Sequence, residues 1–197
     1  MRRVHWVEQQ HGCGVVVVGG PDVDGPDPGP RVVASVAEGA GDALVSDVPG
    51  EALCVLTADC ASVALGSREG IFAAVHAGWR GLVDGVVEAA IAGMRALGAT
   101  EVVGALGPCI HPECYEFSEG DLATVAAHYG DGVRGRTTDG RPALDLPAAV
   151  SAALAAAGVA EGAGRPACTA CTGGNFSHRA RGDLGRQALL VWSAGPA

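Results

Sequence analysis

Short apolar runs, many of them rich in β-branched residues, dominate the first half of the chain, and clusters of Gly, Pro and Asp separate them. Runs of this length and composition predict β-strands. Six strands are predicted, over residues 15–18, 31–36, 43–46, 53–57, 62–65 and 71–75. Residues 19–30 carry four Pro and four Gly between the first two runs, which predicts a surface loop.

Helical spacing appears in the second half. Over residues 82–97 the apolar side chains recur at intervals of three and four, and Gly98 follows as a stop signal, so one long helix is predicted. Further helices are predicted over residues 146–157, with Asp145 as N-cap, and 121–129, and late strands over residues 101–106 and 188–192. Because helices and strands interleave, the expected fold class is α+β, a single domain over residues 1–197 with a mixed central β-sheet and flanking helices.

Composition narrows the range of partners. The 197 residues suffice for one core, and hydrophobic residues at 48% with charged residues at 18% indicate a folded, soluble protein. A formal net charge of −9 argues against nucleic acid or an anionic membrane as a partner. The sequence contains neither an apolar span of about 20 residues nor a signal-peptide core, so a cytoplasmic protein is expected. Its seven cysteines then favour reduced thiols or metal ligands over disulfides.

A candidate metal site is formed by His11, Cys60 and His76. Two imidazoles and one thiolate suit zinc, and three protein ligands leave a fourth position for water or substrate. The predicted strand 53–57 leads directly into Cys60, and strand 71–75 delivers His76, so the two strand ends are expected to present these ligands side by side. His11 must then close the site from the N-terminal segment. Spacing alone does not establish such a site, because the ligands come from separated segments.

The sequence around these residues is more specific than their spacing. The ligands lie in Q-x-H-G, T-A-D-C and H-A-G-W-R-G, and the later segments are G-P-C-I at 107–110, C-Y-E at 114–116, C-T at 168–169, F-S-H-R at 176–179 and G-R at 185–186. In this order, over essentially the whole chain, they resemble the YfiH-type laccase-domain family, whose members are also described as purine nucleoside phosphorylases or multicopper polyphenol oxidoreductases.

The resemblance implies that His11, Cys60 and His76 bind one zinc ion. It also implies phosphorolysis of purine nucleosides (adenosine, inosine, guanosine and methylthioadenosine) by inorganic phosphate, together with adenosine deamination. Purine nucleosides and phosphate are therefore the expected partners, whereas the oligomeric state is not specified by the sequence.

Four further residues are candidates for catalysis or substrate binding. Asp59, beside Cys60, is expected either to orient a ligand imidazole or to contact substrate or water, with a simple turn residue as the alternative. Arg80, near a helix N-terminus, is a candidate for binding phosphate, and a solvated arginine is its alternative. Arg179 and Arg186 are candidate cations on the substrate side.

Other cysteines and histidines lack a complete pattern. Cys109, His111 and Cys114 form a C-x-H-x-x-C cluster without an evident fourth ligand, and Cys168-x-x-Cys171 has no matching pair, so both are interpreted as structural thiols. No role is assigned to His5, His128 or His178.

Three alternatives to the phosphorylase stay open. A copper polyphenol oxidase needs several centres with many His ligands, whereas the chain has six histidines, mostly isolated. A metal or thiol hydrolase of cell-wall precursors would use Cys60 as a nucleophile activated by His76. An impaired zinc-binding module is the third, because the chain begins close to Trp6 without the N-terminal segment usual in the family. On that ground weak activity is expected, with a gain from an upstream extension.

Overall fold

Twelve strands and five helices are found in the residues that the computed structural model describes, namely 4–19, 31–32, 39–162 and 164–194. The strands are β1 (Val4–His5), β2 (Val15–Val18), β3 (Arg31–Val32), β4 (Ala43–Ser46), β5 (Ala52–Thr57), β6 (Ala61–Ser67), β7 (Phe72–Ala77), β8 (Val102–Leu106), β9 (Arg134–Arg136), β10 (Pro142–Leu144), β11 (Ala160–Glu161) and β12 (Gln187–Trp192). The helices are α1 (Trp79–Val83), α2 (Val86–Ala96), α3 (Glu119–Tyr129), α4 (Leu146–Ala156) and α5 (His178–Arg181), with 3-10 turns at Pro112–Cys114 and Asp131–Val133.

The central sheet has seven strands in the order β11-β8-β6-β7-β4-β2-β3. Its pairs β11/β8 and β2/β4 are parallel and the others are antiparallel, so the sheet is mixed. A three-stranded sheet, β1-β5-β12, and the hairpin β9/β10 complete the strands of the described residues. The predicted α+β class with a mixed central sheet is confirmed.

Burial of both faces of the central sheet explains its continuous apolar runs. Successive side chains of a strand point to opposite faces, so a strand covered on both sides needs no polar alternation. In β2, Val15 and Val17 pack into the core beneath α2 and α4, whereas Val16 and Val18 pack against the three-stranded sheet with Leu53. The result is three layers: helices, the central sheet and the smaller sheet.

The predicted helix over residues 82–97 is instead two helices, which is a correction. Helix α1 begins earlier, at Trp79, and ends at Val83; α2 begins at Val86. Gly85 has a φ of 84°, a left-handed conformation that interrupts a helix and that glycine adopts without steric cost. The periodicity continues across this break because both helices pack on the same face of the sheet.

The other predicted elements are present, and where their bounds differ the shift is one or two residues. Of the predicted strand 31–36, only β3 lies in the described part, and residues 20–30 of the predicted loop and 33–36 of that strand lie outside the described residues. Among the helices described, none is long and apolar enough to span a bilayer.

Candidate metal centre

The pairing of β6 with β7 places Cys60 beside His76. The two strands are antiparallel, with Ala61 opposite Ala77 and Ser62 opposite His76, so the residue immediately before β6 lies next to the end of β7. Asp59 turns the chain from β5 into β6 with a φ of 97°, which brings the T-A-D-C segment around within three residues. The expectation that strand ends present Cys60 and His76 together is confirmed.

His11 completes the cluster from the segment between β1 and β2. Its ligand nitrogen, that of His76 and Sγ of Cys60 all lie within 4.8 Å of one another. The two imidazole rings meet edge to face, with centroids 4.8 Å apart. His76 is buried, Cys60 is partly exposed and His11 is exposed, so the cluster opens to solvent on the side of His11.

Two glycines of H-A-G-W-R-G allow this close approach. A Cβ atom at Gly78 would lie 3.0 Å from Cδ2 of His11 and 3.3 Å from Sγ of Cys60. A Cβ atom at Gly81 would lie 2.8 Å from the carbonyl oxygen of Gly12, which is closer than real Cβ contacts. Both positions therefore need glycine if the His11 segment is to pack against the start of α1.

Asp42 positions both candidate histidine ligands. Its Oδ1 accepts a hydrogen bond of 2.7 Å from Nδ1 of His76 and one of 2.9 Å from the backbone N–H of His11, and its Oδ2 accepts from the N–H of Gly12 at 2.8 Å. The bond to Nδ1 leaves Nε2 of His76 as the nitrogen that faces Cys60. A carboxylate behind a ligand imidazole in this way fixes its tautomer and orientation and raises its basicity.

The cluster is also strongly coupled electrostatically. Burial by itself would raise the pKa of the Cys60 thiol, but hydrogen bonds and charge interactions with His11 and His76 outweigh it and lower that pKa to about 7. Burial would likewise lower the pKa of His76, yet its hydrogen bonds with Asp42 and Cys60 raise it to about 9. A thiolate is thus favoured at Sγ, as a metal ligand requires.

These residues fit a zinc ion. They supply a thiolate and two imidazole nitrogens, a borderline-soft donor set, and the cluster opens toward solvent where a fourth ligand would be placed. Asp42 holds the imidazole of His76 in the orientation that ligation needs.

A cavity of about 700 Å³ adjoins the cluster. Its wall includes every residue predicted for the site, together with several that were not: Trp6, Val7, Glu8, Gln9, His11, Leu56, Thr57, Ala58, Asp59, Cys60, His76, Trp79, Arg80, Tyr115, His178, Arg179 and Arg186. The guanidinium of Arg80 stacks on Trp79 at 4.5 Å from the ring centroid, and that of Arg179 lies 5.1 Å from the centroid of Tyr115. The structure therefore unites the candidate metal ligands, Asp59 and the three candidate arginines in one cavity.

Asp59 connects the cavity to the C-terminal segment. Its Oδ1 accepts a hydrogen bond of 2.6 Å from the hydroxyl of Thr169, and its Oδ2 accepts one of 2.6 Å from the backbone N–H of Arg179. The sequence suggests that Asp59 could orient a ligand imidazole. In the structure, the imidazole of His76 is oriented by Asp42 and not by Asp59.

Asp42, Tyr115 and His178 belong to this site although the sequence does not predict a role for them. Asp42 carries no motif, and only the register of β4 against β7, with Ala43 opposite Val75, brings it to His76. Tyr115 in the C-Y-E segment and His178 in the F-S-H-R segment both line the cavity. The signal in the sequence for Tyr115 and His178 is that both lie in segments specific to the family.

The fold and the cluster define a class: an α+β protein with a candidate metal centre at the edge of a substrate-sized cavity. A family model described as multi-copper polyphenol oxidoreductase laccase matches residues 1–194, and the chain belongs to this family. It is 42% identical over 193 residues to a protein of Streptomyces coelicolor named purine nucleoside phosphorylase, covering 96% of this chain and 75% of the relative. A Mycobacterium bovis protein of the same name is 37% identical over 193 residues, covering 96% and 72%.

Solved structures agree with the fold. A crystal structure of Neisseria meningitidis protein NMB0706 matches with a TM-score of 0.79 and 29% identity, covering 98% of this chain and 76% of that chain. YlmD from Geobacillus stearothermophilus matches with a TM-score of 0.74 and 28% identity, covering 95% and 73%. The resemblance to the YfiH-type family stated from the motifs is confirmed.

Proposed function

We propose that this chain is a zinc-dependent purine nucleoside phosphorylase with adenosine deaminase activity. The observation that carries the proposal is the cavity in which His11, Cys60 and His76 adjoin three arginines. The names of the relatives from Streptomyces and Mycobacterium support the same reaction. We place the protein in the cytoplasm, where nucleosides and phosphate are available and where the free cysteines of the described residues stay reduced.

The cavity suits a nucleoside and an anion together. Arg80, Arg179 and Arg186 provide three positive charges on its wall, while the carboxylate of Asp59 is already engaged by Thr169 and the backbone of Arg179. Guanidinium groups bind phosphate oxygens through paired N–H donors. The rings of Trp79 and Tyr115, over which Arg80 and Arg179 lie, add apolar surface to the cavity wall, which suits a purine or ribose.

In phosphorolysis a phosphate oxygen forms a bond to C1′ while the bond from C1′ to the purine nitrogen breaks, and the purine leaves with the bonding electron pair and takes up a proton. Zinc held by His11, Cys60 and His76 would supply Lewis acidity next to this reaction and would make a coordinated water more acidic, which also suits deamination. Arg80, Arg179 and Arg186 hold the phosphate, and Asp59 positions the backbone from which Arg179 extends.

Chromatography of the products tests the reaction. Adenosine incubated with the protein and phosphate is expected to yield adenine and ribose 1-phosphate, and adenine should not form when phosphate is omitted. Inosine that appears with or without phosphate would report the deaminase activity separately. Guanosine, inosine and methylthioadenosine are expected to be cleaved in the same phosphate-dependent way. Adenosine that remains unchanged under both conditions, in zinc-loaded protein, contradicts the proposal.

A thiol hydrolase is the second candidate, because Cys60 forms hydrogen bonds with both His11 and His76, as an activated nucleophile would. The same contacts serve metal ligation, and the two functions differ in what zinc does. Zinc removal abolishes the phosphorylase, whereas a thiol nucleophile freed from zinc would keep or gain activity. The protein is treated first with a chelator and then with an alkylating reagent. If chelation alone abolishes turnover and Cys60 becomes reactive to the reagent only afterwards, the result supports the phosphorylase.

Substitution of Arg80 by glutamine is expected to raise KM for phosphate by about tenfold, because a charge-assisted hydrogen bond contributes about 1.5–3 kcal/mol. The kcat value should change less, since Arg80 binds phosphate before and during the reaction. Initial rates at varied phosphate concentration measure both. Arg68→Gln is the matched control, because Arg68 is also exposed and lies outside the cavity wall. Equal effects of the two substitutions would argue against phosphate binding by Arg80.

A further inference from the structure

A second group of metal-binding side chains lies outside the centre described above. Sγ atoms of Cys114, Cys168 and Cys171 all lie within 4.8 Å of one another, although Cys114 is 54 residues before Cys168 in the sequence. Cys168-x-x-Cys171 therefore does have a partner thiol, contrary to its interpretation from the sequence. Cys109, the other member of the C-x-H-x-x-C pattern, is fully buried and is not part of this group.

The backbone holds this group in place. Cys109 and Cys168 form a parallel β-bridge, and the N–H of Thr169 donates to the carbonyl of Cys109 at 3.0 Å. The N–H of Cys114 donates to the carbonyl of His111 at 3.0 Å, within the 3-10 turn that carries Cys114. The turn at 112–114 and the C-x-x-C turn are thus brought together by main-chain bonds, not by the thiols themselves.

The environment of Cys168 resembles that of a thiolate ligand. Backbone N–H groups of Cys171, His111 and Ala170 donate hydrogen bonds to Sγ of Cys168. Two of these donors belong to the C-x-x-C turn, so the turn folds its own amides toward the first sulfur. Amide donors of this kind stabilise negative charge on a ligand sulfur and orient it.

His111 offers a fourth donor. A ring nitrogen of His111 lies within 4.8 Å of Sγ of Cys168 and of a carboxylate oxygen of Glu113. This group does not include Cys114 or Cys171, so the imidazole would have to shift toward them to complete a four-ligand site. His111 is 5% exposed, and its Nε2 is buried without a hydrogen-bond partner among the described residues. A buried ring nitrogen without a partner is unfavourable unless it meets a donor or a metal ion. Three thiolates and one imidazole make up the Cys₃His set of structural zinc sites.

We propose that Cys114, Cys168 and Cys171, with His111 as the fourth ligand, bind a second zinc ion with a structural role. The site lies behind the cavity: Tyr115 follows Cys114 directly, and Thr169, which donates to Asp59, follows Cys168. A metal ion here would fix the two turns that present Tyr115 and Thr169. The proposal is independent of the reaction catalysed at the first centre.

Metal analysis in a background that lacks the first centre tests this site. Purified His76→Ala protein is expected to retain one zinc per chain, and His76→Ala/Cys171→Ser to retain none. Cys171 is exposed, so its replacement leaves the core intact. His76→Ala/Cys109→Ala is the matched control: it also removes a thiol next to Cys168 but no ligand, and it should keep the zinc. If His76→Ala folds poorly, Cys171→Ser in the otherwise unchanged chain provides the same comparison. Its zinc content is expected to fall from two ions per chain to one.

Cobalt substitution gives a second measurement. Co²⁺ in the His76→Ala protein is expected to show the intense near-ultraviolet charge-transfer absorption of several thiolates, which His76→Ala/Cys171→Ser should lose. Zinc content that is the same with and without Cys171 would overturn the proposal. So would metal-free His76→Ala protein in which the three cysteines titrate as free thiols or in which mass spectrometry finds a disulfide between two of them.

Discussion

His76→Ala is expected to remove one equivalent of zinc and to abolish both of the proposed activities, phosphorolysis and deamination. The substitution leaves only His11 and Cys60, and two ligands from separate segments hold zinc poorly. It also leaves the buried carboxylate of Asp42 without its imidazole partner, which adds a loss of stability. Plasma mass spectrometry of the dialysed protein measures the metal, and the nucleoside assay measures the activity.

The appropriate control is His128→Ala, because His128 is an exposed histidine on α3 that belongs to neither group of metal-binding side chains. It should keep the zinc content and the turnover of the unchanged protein. Circular dichroism separates a local loss of ligand from a loss of fold. If folded His76→Ala protein contained as much zinc as the unchanged protein, the assignment of His76 as a ligand would be wrong, and copper in stoichiometric amount would contradict zinc as the metal.

The strands of the central sheet could be predicted because each is a short apolar run that can be recognised within its own segment of sequence. Val15–Val18 and the other runs are apolar on both faces, and this pattern is independent of which strands are neighbours. The shortest elements, β1, β9, β10, β11 and α5, were not predicted, since segments of two to four residues carry no periodicity. The break at Gly85 was missed because the apolar spacing continues through it.

The candidate ligands could be found from motifs, but the groups that support them could not. Asp42 and His76 are 34 residues apart in the chain and meet only through the register of β4 against β7, and register is a property of the assembled sheet. The same limit applies to Cys114 and Cys168, which are brought together by the β-bridge between Cys109 and Cys168. Spacing within one segment identifies Cys168-x-x-Cys171 but gives no indication that Cys114 lies beside it.

Asp42 matters to the site because it accepts four hydrogen bonds from the two segments that carry His11 and His76. These come from the imidazole of His76 and from the backbone N–H groups of Gln10, His11 and Gly12. His11 has a φ of 61°, an unusual conformation for a residue other than glycine, and the bonds to Asp42 hold the segment in it. Burial would raise the pKa of Asp42, but the bonds from His76, Gly12 and His11 outweigh burial and lower it, so the carboxylate is charged at neutral pH.

Asp42→Asn is therefore expected to weaken zinc binding at the first centre by about 10- to 100-fold, the range found for groups that hydrogen-bond to metal ligands. The asparagine amide keeps the shape of the side chain but replaces one acceptor oxygen with an NH₂ donor. This donor faces either the N–H of Gly12 or Nδ1 of His76, and it cannot accept a hydrogen bond from either group. Competition with a chromophoric chelator measures the affinity, and kcat restored at saturating zinc would show that Asp42 acts through the ligands. Asp47→Asn, at an exposed position just after β4, is the matched control and should change neither affinity nor kcat. Equal zinc affinity in Asp42→Asn and the unchanged protein would show that His11 and His76 hold their positions without this carboxylate.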